Sequence, residues 1–261
     1  MSILTIVIVV TFFCCLIMAI TWLVAIWFDN FSIVDAIWSY NFPIITLLLY
    51  LMVHGFEQRK LMVLIAVSCW GLRLGTHLLI RITKHLDKED GRYLTLRQNW
   101  SKQLKWEFFK FYQLQALSNV FLAVPFFIIM VNPEPKISLT EKIGFGLWAL
   151  ALIGEAVADS QLASFKKNPS NKGKVCNVGL WSWSRHPNYF FEFMIWVAYS
   201  VMAFSSPYGW LAIMCPLSIF YLLNKVTGIP LTEEQAIKSK GENYIHYQQT
   251  TSKFFPLPPK K

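Results

Sequence analysis

The chain has 261 residues, 55% of them hydrophobic and 15% charged, with a formal net charge of +9 and a mean hydropathy of +0.42. Such apolar content excludes a disordered chain and points to a membrane protein. The basic excess falls in loops between apolar runs and forms no aromatic-basic module, which argues against a nucleic-acid partner and suits anionic lipid headgroups or a phosphorylated ligand.

A hydrocarbon layer of about 30 Å takes roughly 20 apolar residues per helical crossing, and the sequence offers seven such runs in a single transmembrane domain, residues 1–261. The first, Met1–Phe28, carries no charge and lacks the basic start of a signal peptide, so it is expected to stay as a spanning helix. Ile33–His54, Leu61–Ile82, Phe109–Val131, Ile143–Phe165, Tyr189–Phe204 and Trp210–Thr227 follow, punctuated by turn signals at Asp29–Asn30, Pro133–Pro135, Ser205–Pro207 and Gly228–Pro230. The expected fold is all-α, an integral membrane bundle of about seven transmembrane helices.

Lysine and arginine concentrate at Lys84–Lys105, at Lys166–Arg185 and in the tail from Lys238 to Lys261. With seven spans these segments share one face, so the N-terminus is expected outside and the C-terminus in the cytoplasm. Lys102–Phe111 mixes lysines with Trp106, Phe108 and Phe109 and is expected to lie along the interface. The five cysteines form no C-x-x-C pair, so neither a disulfide framework nor a metal site is expected.

Ionisable residues inside apolar runs cost about 2.5–3.5 kcal/mol each at the bilayer centre and so need partners or ligands. In the third run Arg73, His77, Arg81 and His85 recur every four residues and draw a cationic stripe along one helical face. Such a stripe would attract a polyanion; alternatively, Arg81 and His85 snorkel to headgroups while Arg73 pairs with a carboxylate. The fifth run carries Glu155 and Asp159 one turn apart with Lys166 beyond them, either facing a ligand or paired with Arg73 or Arg185.

The densest polar cluster runs from Gly179 to Trp196. Pro187 suits a first helical turn, and Arg185 and His186 stand just before it, where free backbone N–H groups favour an anion. Asn188, Glu192 and Trp196 then fall at i, i+4 and i+8 on one face, an amide, a carboxylate and an indole. A cofactor with phosphates, hydroxyls and a flat ring would use that combination.

Arg185-His186-Pro187-Asn188-Tyr189 resembles a bacterial membrane-protein family of formerly unknown function that is grouped with the steroid 5α-reductase C-terminal domain. Trp70–Gly75, Glu89–Tyr93, the Glu155, Asp159, Gln161 and Phe165 series, Gly179–Trp181 and the tail from Gly241 through Tyr247 to Pro256 match as well, covering about residues 33–259. The resemblance implies a seven-helix bundle open to the cytoplasm that holds NADPH among its C-terminal helices and an enone-bearing lipid beneath the first four.

By the resemblance, Asn188, Glu192 and Trp196 line the cofactor site, Asp159 is an acidic cofactor contact and Arg92 a phosphate-binding residue beside Tyr93. Two positions depart from the pattern. Phe191 stands where the reductases usually carry glycine, and no clear counterpart exists for the glutamate that polarises a steroid carbonyl.

No G-x-G-x-x-G follows a strand, so side chains must hold the phosphates, and Arg81, Arg92, Arg185 and Lys166 are the candidates, with His186 and Tyr189 alongside. Enone reduction also needs a donor at the carbonyl oxygen, for which Tyr40, Asn41 and His77 are the candidates. The expected function is therefore a bacterial inner-membrane, NADPH-dependent oxidoreductase acting on a carbon–carbon double bond of an enone-bearing steroid-like or isoprenoid lipid. Arg-His-Pro-x-Tyr also occurs in isoprenylcysteine carboxyl methyltransferases, which bind S-adenosylmethionine and carry a later Glu-Glu pair like Glu233-Glu234. Methyl transfer is thus an alternative, as is a non-catalytic lipid-binding role.

Overall fold

A computed structural model describes residues 1–84, 86 and 89–260. His85, the last member of the expected stripe, lies outside the described residues, as do Lys88 and Lys261. All regular elements among the described residues are helical. The chain divides into two compact units, residues 1–138 with 205–211, and residues 139–204 with 212–261.

The first unit contains α1 (Ile3–Trp27), α2 (Ile33–Met52), α3 (Glu57–Thr83), α4 (Gly91–Asn99), α5 (Leu104–Leu122) and α6 (Val124–Met130). Ser2 caps α1 by accepting the Thr5 N–H at 3.1 Å. Pro43 stands inside α2 and cannot donate to the Ser39 carbonyl. Gly71 of α3 closes on this point; a Cβ there would stand 2.7 Å from Pro43 Cδ and 2.9 Å from Ser39 O.

The buried Arg59 of α3 donates to the carbonyls of Asn132, Glu134 and Lys136 at 2.7–2.8 Å, so its charge is satisfied by the segment that follows α6. Lys102–Phe111 forms no separate interfacial element: from Leu104 onward it is the start of α5. The short helix outside the apolar runs is α4, capped by Asp90, whose carboxylate accepts the Arg92 N–H at 3.1 Å.

The second unit contains α7 (Leu139–Lys167), α8 (Pro187–Ala203), α9 (Met214–Tyr221), α10 (Ile229–Lys240) and α11 (Glu242–Thr250). Along α7 the buried positions Glu141, Gly144, Trp148, Ala151, Glu155 and Ala158 recur every three or four residues, one inward stripe. Gly144 sits tight against α8, where a Cβ would lie 2.9 Å from Ala198 O and from Met202 N. Gly179 opens the turn before α8 with a φ of +56° and fits against Gln161, whose side chain accepts the Leu180 N–H at 3.0 Å.

Six helical runs among the described residues are long and apolar enough to cross a membrane: Ile3–Trp27, Ile33–Met52, Glu57–Thr83, Leu104–Met130, Leu139–Lys167 and Gly209–Lys240. The run expected at Tyr189–Phe204 becomes α8, whose 17 residues span about 26 Å at 1.5 Å each.

Candidate functional site

In the first unit the carboxylates and guanidiniums around α4 form two connected sets. Asp35, in the first turn of α2, accepts from Arg92 Nη2 at 2.6 Å and from the Tyr93 hydroxyl at 2.6 Å. Asp90 accepts from Arg92 Nε at 3.3 Å and from Arg81 Nη2 at 3.5 Å. Glu89 accepts from the Phe31 N–H at 2.6 Å and from Arg97 Nε at 2.9 Å, and Arg97 Nη1 reaches Asp29 at 3.0 Å.

Electrostatics follow from this packing. Burial pushes the Asp90 carboxyl up, but Arg92, its backbone N–H and Arg81 outweigh burial and hold it below the usual carboxylate range. Burial, with the neighbouring Asp35 charge, pushes the Tyr93 phenol well above its ordinary value, so it stays a neutral donor. The expected phosphate ligands Arg81 and Arg92 thus already hold carboxylates of their own unit.

The three expected oxygen-side donors also lie in this unit. Tyr40 shares a hydrogen bond with Thr76 at 3.0 Å, and its ring covers Gly75. Asn41 is buried and donates Nδ2–H to Asn119 Oδ1 at 3.0 Å. His77 is half-buried on α3.

In the second unit Arg185 is 8% exposed and donates from Nε to Glu233 at 2.7 Å and from Nη1 to the carbonyls of Gln248 and Thr251, both at 2.8 Å. His186 Nε2 lies 3.2 Å from the same Glu233 oxygen, and Gln248 Nε2 donates to the other at 2.9 Å. Burial pushes the His186 imidazole below its ordinary value, and Glu233 opposes this only in part. With Nε2 facing a carboxylate, the neutral ring carries its proton there. The tail fastens to the same segment: Ser184 Oγ donates to Phe254 O at 2.8 Å, and Tyr247 donates to Trp181 O.

One helical turn further, the face of α8 opens. Asn188 Nδ2 donates to Asp159 Oδ1 at 3.3 Å, and Trp196 Nε1 donates to Glu192 Oε1 at 2.9 Å. Asp159, Asn188 and Glu192 are half-buried, so their polar groups are accessible, whereas Trp196 is fully buried beneath them. Tyr189 stacks on His186 with ring centres 5.5 Å apart and reaches Thr232 at 3.5 Å, while Lys166 is exposed in the last turn of α7.

The second unit therefore brings Asp159, Asn188, Glu192 and Trp196 together and gives Arg185 and His186 to a structural knot around Glu233. Two participants escaped sequence reasoning as site residues. Asp35 reads as the polar start of an apolar helix, and its partner Arg92 is 57 residues away. Glu233 was visible only as half of an acidic pair.

Comparison with known proteins gives four findings. An uncharacterized protein of Schizosaccharomyces pombe, C594.04c, is 26% identical over 264 aligned positions, covering 91% of this chain and 76% of its own. A protein of Ustilaginoidea virens named "Probable O-methyltransferase ustE" is 49% identical over 53 residues, which span 20% of this chain and 18% of that protein. No solved structure matches. The family described as "Protein of unknown function (DUF1295)" matches residues 21–251, and the chain belongs to that family.

Proposed function

We propose that this chain is a membrane oxidoreductase that uses NADPH to reduce a carbon–carbon double bond of an enone-bearing steroid-like or isoprenoid lipid. The observation that carries the reading is the half-open face of Asp159, Asn188, Glu192 and Trp196 in the second unit. Carboxylates accept ribose hydroxyls and an amide matches a carboxamide, while the fully buried Trp196 acts through Glu192 and not on the ligand itself. Trp196 fixes one Glu192 oxygen, which limits the rotamers that carboxylate can adopt.

When bound, the dinucleotide supplies hydride to the β-carbon of the enone. The chain's own part is to donate at the carbonyl oxygen, for which Tyr40, Asn41 and His77 are proposed, and to keep the nicotinamide end oriented. Arg185 and His186 hold the entrance of α8 in shape through Glu233. In this reading the chain crosses a bacterial inner membrane seven times, with short α8 as a crossing, the N-terminus outside and the C-terminus cytoplasmic.

Methyl transfer from S-adenosylmethionine is the second reading. It is favoured by the Arg185–His186–Glu233 knot, which joins the Arg-His-Pro segment to the Glu233-Glu234 pair, and by the local similarity to a protein named as an O-methyltransferase. Purified protein in nanodiscs, supplied with an enone steroid and NADPH deuterated at the transferable hydride, separates the two. The reductase reading expects a saturated product carrying one deuterium. A methylated product formed only with S-adenosylmethionine would replace it.

A further inference from the structure

Beneath the accessible carboxylates of the second unit runs a buried series of aromatic side chains that joins α7 to α8. Glu192, Trp196 and Tyr199 fall at i, i+4 and i+7, so they share one face of α8. Trp196 and Tyr199 are fully buried, and their rings meet edge to face with centres 5.9 Å apart and an interplanar angle of 70°. From α7, the buried Trp148 donates Nε1–H to the Tyr199 hydroxyl at 3.1 Å. Two indole donors thus stand at the ends of one series: Trp148 bonds the hydroxyl, and Trp196 bonds the Glu192 carboxylate at 2.9 Å.

The close helix pairing that allows this is set one turn earlier on α7. Gly144 comes so near to α8 that a Cβ would stand 2.9 Å from the carbonyl of Ala198, the residue before Tyr199. Trp148 follows Gly144 by four residues on the same inward stripe, and so it reaches the Tyr199 hydroxyl. Phe145 stacks on Trp148 with ring centres 5.3 Å apart and restricts that indole in turn. A Trp196 indole turned over in its place would carry its N–H away from Glu192. The neighbouring Tyr199 ring, tied by its hydroxyl, opposes that movement because close-packed rings turn only when their neighbours yield.

We propose that Trp148 and Tyr199 are positioning residues for Glu192: they hold the Trp196 indole in the orientation that fixes this carboxylate. What Glu192 is held ready for rests on the reductase reading, in which it accepts a ribose hydroxyl of the dinucleotide. A carboxylate already held in place loses little side-chain freedom on binding, so its preorganisation adds to affinity. Trp148, Tyr199 and Trp196 do this without touching the ligand.

The test reads the indole and the ligand separately, on the full chain in detergent micelles. With tryptophan labelled with nitrogen-15, the Trp196 indole N–H signal is assigned by its loss in Trp196→Phe. Glu192→Gln should move that signal, because a neutral amide replaces the carboxylate that accepts from it. The same substitution made in the Tyr199→Phe or Trp148→Phe background should move it markedly less, and comparing the shifts cancels the ring-current change that the aromatic substitution itself brings. Equal shifts in all three backgrounds would overturn the proposal. Tyr199→Phe removes a single oxygen and decides the matter should Trp148→Phe fail to fold. NADPH titrated into the same samples gives the second readout: either aromatic substitution should weaken binding about three- to tenfold, with no further loss in the Glu192→Gln background. Absence of NADPH binding in the wild type beside a reduced indole shift would sink the reductase reading alone. Wild-type binding of NADPH beside equal shifts would sink the positioning role alone.

Discussion

Arg185 and Glu233, 48 residues apart in sequence, meet at 2.7 Å with 8% and 14% of their side chains exposed. The pair joins the segment before α8 to α10, and the remaining Arg185 donors reach carbonyls of α11 and of the residue after it. Removing one partner leaves the other buried and uncompensated. Arg185→Ala should therefore destabilise the protein by about 3–5 kcal/mol, read as a lower melting temperature in detergent. A loss of ligand affinity with an unchanged melting temperature would instead return Arg185 to the role of a cofactor contact.

The His186 imidazole belongs to the same knot and gives it a pH dependence. Its folded value lies below the unfolded one because burial disfavours the cation. As pH falls, the unfolded chain takes up the proton first, so stability is present above about pH 6.5 and is lost as pH drops through the folded value. Melting curves for wild type and His186→Gln should diverge in slope below that pH, the wild type falling more steeply. Parallel curves would show that His186 does not titrate between the two states.

Asp35 holds Arg92 and Tyr93 with two bonds of 2.6 Å, and about a fifth of its side chain is exposed. Asp35→Asn keeps the shape but removes the charge, and should cost about 1–2 kcal/mol by chemical denaturation. It should also release Arg92 toward anions, seen as tighter binding of inorganic pyrophosphate. Unchanged stability would mean that the Arg92–Asp90 contact suffices to hold α4.

These residues also mark what the sequence could tell. The apolar runs forecast α1, α2, α3 and α7 within a few residues, and the run at Phe109–Val131 covers most of α5 together with α6, because burial in lipid selects long apolar stretches whatever their partners. Pro187 forecast the start of α8 for local steric reasons, whereas Gly228–Pro230 read only as a turn and α10 beyond it was not expected. Short, polar α4 was invisible, since its ion pairs reach back to Asp29 and Asp35 and leave no periodic signal. Likewise the sequence could place Arg185 beside a helix entrance but could not show that Glu233 already occupies it.

Topology has its own test, for which the structure selects the positions. Ser206 is buried and accepts from Asn132, whereas Pro207 is exposed, as is Lys172. In a cysteine-free background, Pro207→Cys should react readily with an impermeant thiol reagent in intact cells and Lys172→Cys should be protected. The reverse pattern would put the Arg185–Glu192 segment on the side away from cytoplasmic NADPH.

The claim on which the account turns is that the Asp159, Asn188, Glu192 and Trp196 face holds NADPH. Isothermal titration of the detergent-solubilised protein measures this directly, with Glu192→Gln as the control, because glutamine can still accept from Trp196 Nε1 while losing the charge. The account predicts saturable NADPH binding in the wild type and at least tenfold weaker binding in the variant, with the melting temperature of the unliganded protein retained. Binding of S-adenosylmethionine and not NADPH would contradict it.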